Sequence, residues 1–435
     1  MSSWARIGRW SRLFSEYTAA QVVIQALGIV AGLWLVNLLP VREYALYTFA
    51  MSIFAFLSIF SDLGVGSALL FFRRETRAAG AAFDPYIRAA YKVRYALLAV
   101  GLCAGLAFMV TIGPERGFGY AEIVVVGALL IAAVWAQVGS SIAILQLRLE
   151  GLYRGSYLAE ACANALRLLI VAAMWLAAAP FAWLAMLSGA AGALASRTVA
   201  TGALRRAGHA LTADPSEQHQ RAPLEGIVRY VLPMSLSAVY FSIQGPLTVW
   251  LSAYFAGTQS VAEVGALGRL GLIFGLLSGF MGAVLIPRLA VVTDETHYLR
   301  RYLQFWVVLA VFGAGVVALA WGVPDWLLWL LGESYAGLGD GVLIVAISAV
   351  LASWGGYVVG INNARGWIRL QPVAVAIFAA IQIWLILVLD LSSTIGVLHY
   401  GLWSGLAGLL LQVLINVAGF RKLTWVSGQH RAIDT

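Results

Sequence analysis

Continuous apolar runs of about 20 residues or more recur from one end of the chain to the other, and they leave few folds open. They lie at approximately 17–39, 44–72, 89–113, 119–147, 157–178, 181–204, 230–256, 262–287, 302–323, 338–361, 371–390 and 396–419. Only 11% of the 435 residues are charged and 61% are hydrophobic, which excludes a soluble domain of this size. In hydrocarbon every backbone N–H and C=O must pair within the protein, so only helices and closed barrels can span. The runs are continuous and do not alternate, which argues against a barrel. The expectation is an all-α polytopic membrane protein with twelve transmembrane helices. Arg6, Arg9 and Arg12 ahead of the first run look like the start of a signal peptide. That run ends at Leu39-Pro40 without a small-residue cleavage site and more spans follow, so it reads as the first membrane helix.

Charge gives the orientation. The N-terminus, the tail and the loops at 73–94, 148–154, 205–229, 288–301 and 365–369 hold 23 of the 28 Lys and Arg, and the opposite loops hold two, Arg42 and Arg116. By the positive-inside rule both termini are cytoplasmic and the number of spans is even. The longest polar connector, with Asp214-Pro215-Ser216-Glu217, separates two six-helix lobes, 1–204 and 230–435, with 205–229 as the linker. A faint repeat relates them. Glu43, Ile53, Phe54, Leu57, Ser58 and Phe60 recur as Glu263, Ile273, Phe274, Leu277, Ser278 and Phe280, and Gly151 and Arg154 recur as Gly366 and Arg369. Both repeats keep the same sidedness, which implies a pseudo-twofold axis along the membrane normal. The run Pro324 to Glu333 is too short to span and carries Trp326 and Trp329, as a surface helix on the non-cytoplasmic side would.

Several function classes drop out. The net charge of +8 follows from basic loops and does not point to nucleic acid. Cys103 and Cys162 lie in apolar runs and give no disulfide framework. His209, His219, His297, His399 and His430 have no metal spacing, and no P-loop or catalytic constellation is present. The chain reads as neither an enzyme nor a metal or cofactor protein.

The stretch from Gln244 to Arg288 is unusual. Gly245-Pro246 breaks the seventh run. In the eighth, Gly265, Gly268, Gly271, Gly275, Gly279 and Gly282 share a face, and Arg269 sits beside it. Close helix packing also favours such small residues. In the fifth run Glu160, Asn164 and Arg167 share one face, with Asn164 placed to bridge the other two. They form either a cation or proton site or a buried structural network. Arg197 would partner Glu160 or simply reach the cytoplasm, and Glu263 in the adjoining loop is placed to pair with Arg269.

Four local patterns carry a family resemblance. They are Leu39-Pro40-Val41-Arg42-Glu43-Tyr44-Ala45-Leu46-Tyr47, Ser61-Asp62-Leu63-Gly64, Pro287 closing the eighth run, and Leu330-Leu331-Gly332-Glu333-Ser334-Tyr335. In this order and across twelve spans the chain resembles the polysaccharide flippases, relatives of the multidrug and toxin extrusion transporters and the lipid II flippases. It departs from many of them in having Leu247-Thr248-Val249-Trp250 where they carry an Asp-Arg pair.

The resemblance implies transport of an isoprenoid-diphosphate-linked oligosaccharide from the cytoplasmic to the periplasmic leaflet of the bacterial inner membrane. Alternating access would drive it, for polysaccharide or lipopolysaccharide biosynthesis. A diphosphate needs cations, and Arg forks suit it. Arg269, Arg73 and Arg74 are the candidates, with membrane anchoring as the plainer role for the last two. Asp62 would pair a cavity Arg, take a coupling proton, or cap its own turn. Gln21, Gln25 and Gln244 would meet sugar hydroxyls or join neighbouring helices. Gly245, Pro246, Gly271 and Gly275 are the hinge candidates. No cofactor is implied beyond coupling to a proton or sodium gradient. The implied partners are the lipid-linked oligosaccharide, membrane lipid and a polysaccharide polymerase or glycosyltransferase. The competing readings are an ion-coupled multidrug exporter and a non-transporting scaffold of a polysaccharide synthase.

Overall fold

The structure is a computed structural model that describes residues 23–79, 82–208, 218–274, 295–365, 367 and 370–433. The described residues are helical throughout, joined by short turns. The helices are α1 (Val23–Leu38), α2 (Val41–Phe60), α3 (Val65–Ala79), α4 (Asp84–Glu115), α5 (Tyr120–Leu149), α6 (Tyr153–Leu176), α7 (Ala182–Arg206), α8 (Gln218–Gln244) and α9 (Leu247–Leu251). There follow α10 (Thr258–Phe274), α11 (Glu295–Gly322), α12 (Pro324–Trp329), α13 (Gly339–Ala364), α14 (Gln371–Val388) and α15 (Thr394–Ile433). Each of the twelve apolar runs falls on helix as far as the described residues reach. Among the described residues, eight helices are long and apolar enough to cross a membrane. The short α12 leaves Trp326 and Trp329 exposed and buries Leu327 and Leu328, as an amphipathic surface turn should.

Local sequence explains the breaks. Between α2 and α3, Leu63 and Gly64 take φ of 37° and 94°, a left-handed step that ends one helix and starts the next. Pro246 removes a donor after Gln244, and α9 begins there. A π-helical turn at Ser252–Ala256 follows, and Gly257 takes φ 109°. By compactness the chain divides after Ala253, so α8 and α9, which follow the 205–229 connector, belong to the first unit. The reason lies in the first unit, where α8 packs on α2, α3 and α4 and α9 on α2. Trp250 of α9 donates its Nε1 hydrogen to Ser52 Oγ at 3.0 Å and lies against the rings of Phe56 and Phe108.

In the first unit α7 packs along both α5 and α6. Glycine permits the approach: a Cβ at Gly192 would stand 2.8 Å from the Ala163 carbonyl oxygen. The loop motif after α1 fixes the far end of this bundle. Glu43 accepts a hydrogen bond from the Ala182 N–H at 2.7 Å, capping α7. Arg42 forks onto Glu122 at 2.7 and 2.9 Å, and Glu122 caps α5 through the Gly119 N–H. Glu43→Ala should cost about 1–2 kcal/mol by orphaning that helix terminus. Thermal unfolding of the purified protein would show it, and an unchanged midpoint would rule the cap out as a stabiliser.

In the second unit α13 packs on α15, and α10 packs on α13 and α15. A neutral amide network joins α13, α14 and α15: Asn362 donates to Gln412, Gln412 and Gln371 bond each other, and Asn416 donates to Asn362. Tyr302 of α11 donates to Asn416 at 2.9 Å. Every bond in this network runs between neutral groups, the pattern of interhelical glue.

Candidate functional site

The polar face of α5 decides where the site lies. Gln137, Ser140, Ser141 and Arg148 recur at helical spacing on an otherwise apolar span. They face α6 and α7 across a cavity of about 460 Å³ within the first unit. From α6 it receives Glu160, Asn164 and Arg167, from α7 Ser196, and from α2 Tyr47, Met51 and Phe54. Gly28 of α1 lies against the Asn164 side chain, so α1 covers this flank.

Among the described residues, the charged groups in the cavity wall are two guanidiniums and one carboxylate. Arg148 Nη2 donates to Glu160 Oε1 at 2.6 Å. Arg167 Nη2 donates to the Tyr47 hydroxyl at 2.8 Å. Asn164 donates to the Glu160 backbone carbonyl at 3.2 Å and does not bridge Glu160 to Arg167. The trio on α6 therefore shares a cavity, with partners drawn from α5 and α2. The Nε atoms of Arg148 and Arg167 are buried and have no hydrogen-bond partner. Arg167 lies past the midpoint of the 24-residue α6, where a charged side chain costs about 3 kcal/mol or more unless it faces a partner, water or a ligand.

Arg197 goes elsewhere. Its guanidinium lies 3.7 Å from the Trp135 ring centroid, a cation–π contact on the side of α5 away from the cavity. Gly139 leaves the room for it, since a Cβ there would stand 2.8 Å from Arg197 Nε. Asp62, at the α2–α3 break, has Arg94 at 3.5 Å, and Arg94 also donates to Ser141 Oγ at 2.8 Å. Arg94 is buried and the Asp62 side chain is 40% exposed. Asp62 thus pairs an Arg behind the cavity wall.

The other sequence candidates do not join this cavity. Arg73 is ion-paired with Glu150 at 2.7 Å and lies over Phe83, and Arg74 beside it is exposed. Arg269 is half-buried on α10 in the second unit. Glu263 takes hydrogen bonds from Gln259 at 2.9 Å and from Thr394. Gln25 is exposed on α1, Gln244 is half-buried at the end of α8, and Gly245 is exposed with open space around it. Gly271 packs against Val345 of α13 at 3.5 Å. Gln21 and Gly275 lie outside the described residues. Sequence reasoning passed over Gln137, Tyr47 and Arg148. The polar stripe on α5 was the signal for the first, and Arg148 was absorbed into the basic loop that follows.

Solved structures share this fold. An inward-facing multidrug resistance MATE family transporter of the MOP superfamily matches with TM-score 0.61 and 18% identity, covering 93% of this chain and 96% of that one. The lipid II flippase MurJ in an inward closed conformation matches with TM-score 0.66 and 12% identity, covering 94% and 90%. A MOP superfamily transporter from Pyrococcus furiosus matches with TM-score 0.54 and 16% identity, covering 94% and 93%. These are transporters and a flippase. No curated protein sequence matches the chain. A family model described as polysaccharide biosynthesis protein matches residues 14–292, well over half of the sequence, and the chain belongs to that family.

Proposed function

We propose that this protein is a flippase that moves an isoprenoid-diphosphate-linked oligosaccharide from the cytoplasmic to the periplasmic leaflet of the bacterial inner membrane by alternating access, in polysaccharide or lipopolysaccharide biosynthesis. The observation that carries the reading is the cation-bearing cavity between apolar helices in a member of a polysaccharide biosynthesis family. Guanidiniums, amides and hydroxyls are the groups that an anionic glycan needs, and buried intramembrane Arg marks a transport path. An exporter of amphipathic cations needs an acidic cavity. Here the one carboxylate is already engaged by Arg148.

In this reading both termini are cytoplasmic, the lobes are 1–204 and 230–435, and Gly245-Pro246 with the glycines of span eight permit movement. Arg269, with Arg73 or Arg74, meets the diphosphate, a proton or sodium gradient drives the cycle, and a polymerase or glycosyltransferase receives the product. Deletion of the gene should cause isoprenoid-linked intermediates to accumulate on the cytoplasmic leaflet. Complementation with Arg269→Ala should restore membrane insertion without restoring glycan export. A deletion strain with no such accumulation defeats the flippase reading, and normal export with Arg269→Ala removes that residue from the site.

A further inference from the structure

A cation site in the first lobe would need a carboxylate with free oxygens, and among the described residues Glu160 is the one carboxylate in the cavity wall. Arg148 holds it at 2.6 Å. Set against that pair, Arg167 adds a guanidinium whose hydrogen-bond partner is neutral, the Tyr47 hydroxyl at 2.8 Å. The formal charge of the described lining residues is therefore +1. The two Arg come from adjacent helices, each has a buried Nε hydrogen without an acceptor, and the cavity between α5, α6 and α7 is large enough for a small organic molecule. An acceptor-only oxyanion offers both guanidiniums an ionised acceptor and hence charge-assisted hydrogen bonds, about twice as strong as those to the hydroxyls of a neutral sugar, and a cation offers none.

We propose that this cavity binds a small oxyanion, a carboxylate or a phosphate, with Arg167 and Arg148 as its charged ligands. Asn164 and Gln137 supply amide groups for adjoining hydroxyls, and Met51 and Phe54 give an apolar wall for a sugar ring. The anion is either free in solution or the acidic group of a saccharide unit. In the second case the inference rests on the flippase reading and narrows it, because the transported glycan then carries a uronic-acid-type sugar. Glu160 competes with the anion for Arg148, so it lowers the affinity. That assigns Glu160 a role opposite to the one a cation site would give it.

The test is binding to the purified full-length protein in nanodiscs, by calorimetry and by shift of thermal unfolding. The probes are glucuronate, inorganic phosphate, glucose, and tetraphenylphosphonium as the cation. Saturable binding of glucuronate but not phosphate supports the sugar-borne source, and binding of phosphate supports a free oxyanion. Glucose should not bind at the same concentrations. Arg167→Gln should weaken the anion about tenfold or more by removing a charge-assisted bond. Glu160→Gln should tighten it several-fold. This gain of affinity cannot come from misfolding, so it protects the test against a damaged variant. Failure of both anions to bind the wild-type protein overturns the proposal. So does loss of anion affinity in Glu160→Gln, or binding of the cation that depends on Glu160. The flippase reading fails separately, through the absence of lipid-linked intermediates in the deletion strain, whichever way the binding result falls.

Discussion

Gly192→Val is expected to destabilise the first unit by about 3 kcal/mol, the upper range for overpacking a tight interior. The obstacle is backbone. A Cβ at residue 192 would stand 2.8 Å from the Ala163 carbonyl oxygen, and no rotamer change can move that atom. Relief requires α6 and α7 to separate, and these helices pack along each other. Gly192 also lines the cavity, as do Ala163 and Asn164 beside it, so the separation would displace the wall that carries Glu160 and Arg167. Gly202→Ala on the same helix is the control. Nothing lies within 4 Å of a Cβ there, and alanine is favoured over glycine in a helix by up to about 1 kcal/mol. Thermal unfolding followed by size-exclusion chromatography would separate the two. Equal midpoints for the variants would show that the α6–α7 approach is not close in the folded protein.

Glu160→Leu should destabilise the protein by about 1–3 kcal/mol, and adding Arg148→Leu should recover part of the loss. The single change strands Arg148 in a cavity that also holds Arg167 and, among the described residues, has no other carboxylate in its wall. The double change removes both charges and leaves an apolar contact of similar reach. The Glu160 and Arg148 side chains are 22% and 34% exposed, which places the cost below that of a fully buried pair. The coupling is read from the unfolding of the wild type, both single variants and the double. Strict additivity would mean that the two residues act independently and that the 2.6 Å contact contributes nothing to stability.

The helices were legible in the sequence because the rules that make them are local. Every span closes its own backbone hydrogen bonds, so length and hydropathy place it without knowledge of its neighbours. The break at Ser61-Asp62-Leu63-Gly64, the one before α9 at Pro246 and the surface turn at α12 follow from the same local chemistry. The face shared by Glu160, Asn164 and Arg167 was equally readable, since it depends only on residues three and four apart.

Partners were not. Glu160 meets Arg148 of α5, and Arg167 meets Tyr47, 120 residues away in the chain. Arg197 leaves Glu160 for the face of Trp135, and Glu263 bonds Thr394 on a helix 131 residues on. Each choice depends on which helices are neighbours and how closely glycine lets them approach, as at Gly139 and Gly192. An apolar span has many compatible neighbours in a bilayer, so hydropathy does not select among them. The sequence alone determined the spans, their breaks and a set of intramembrane charges. The tertiary structure decided which of those charges neutralise one another and which cavity keeps an excess of positive charge.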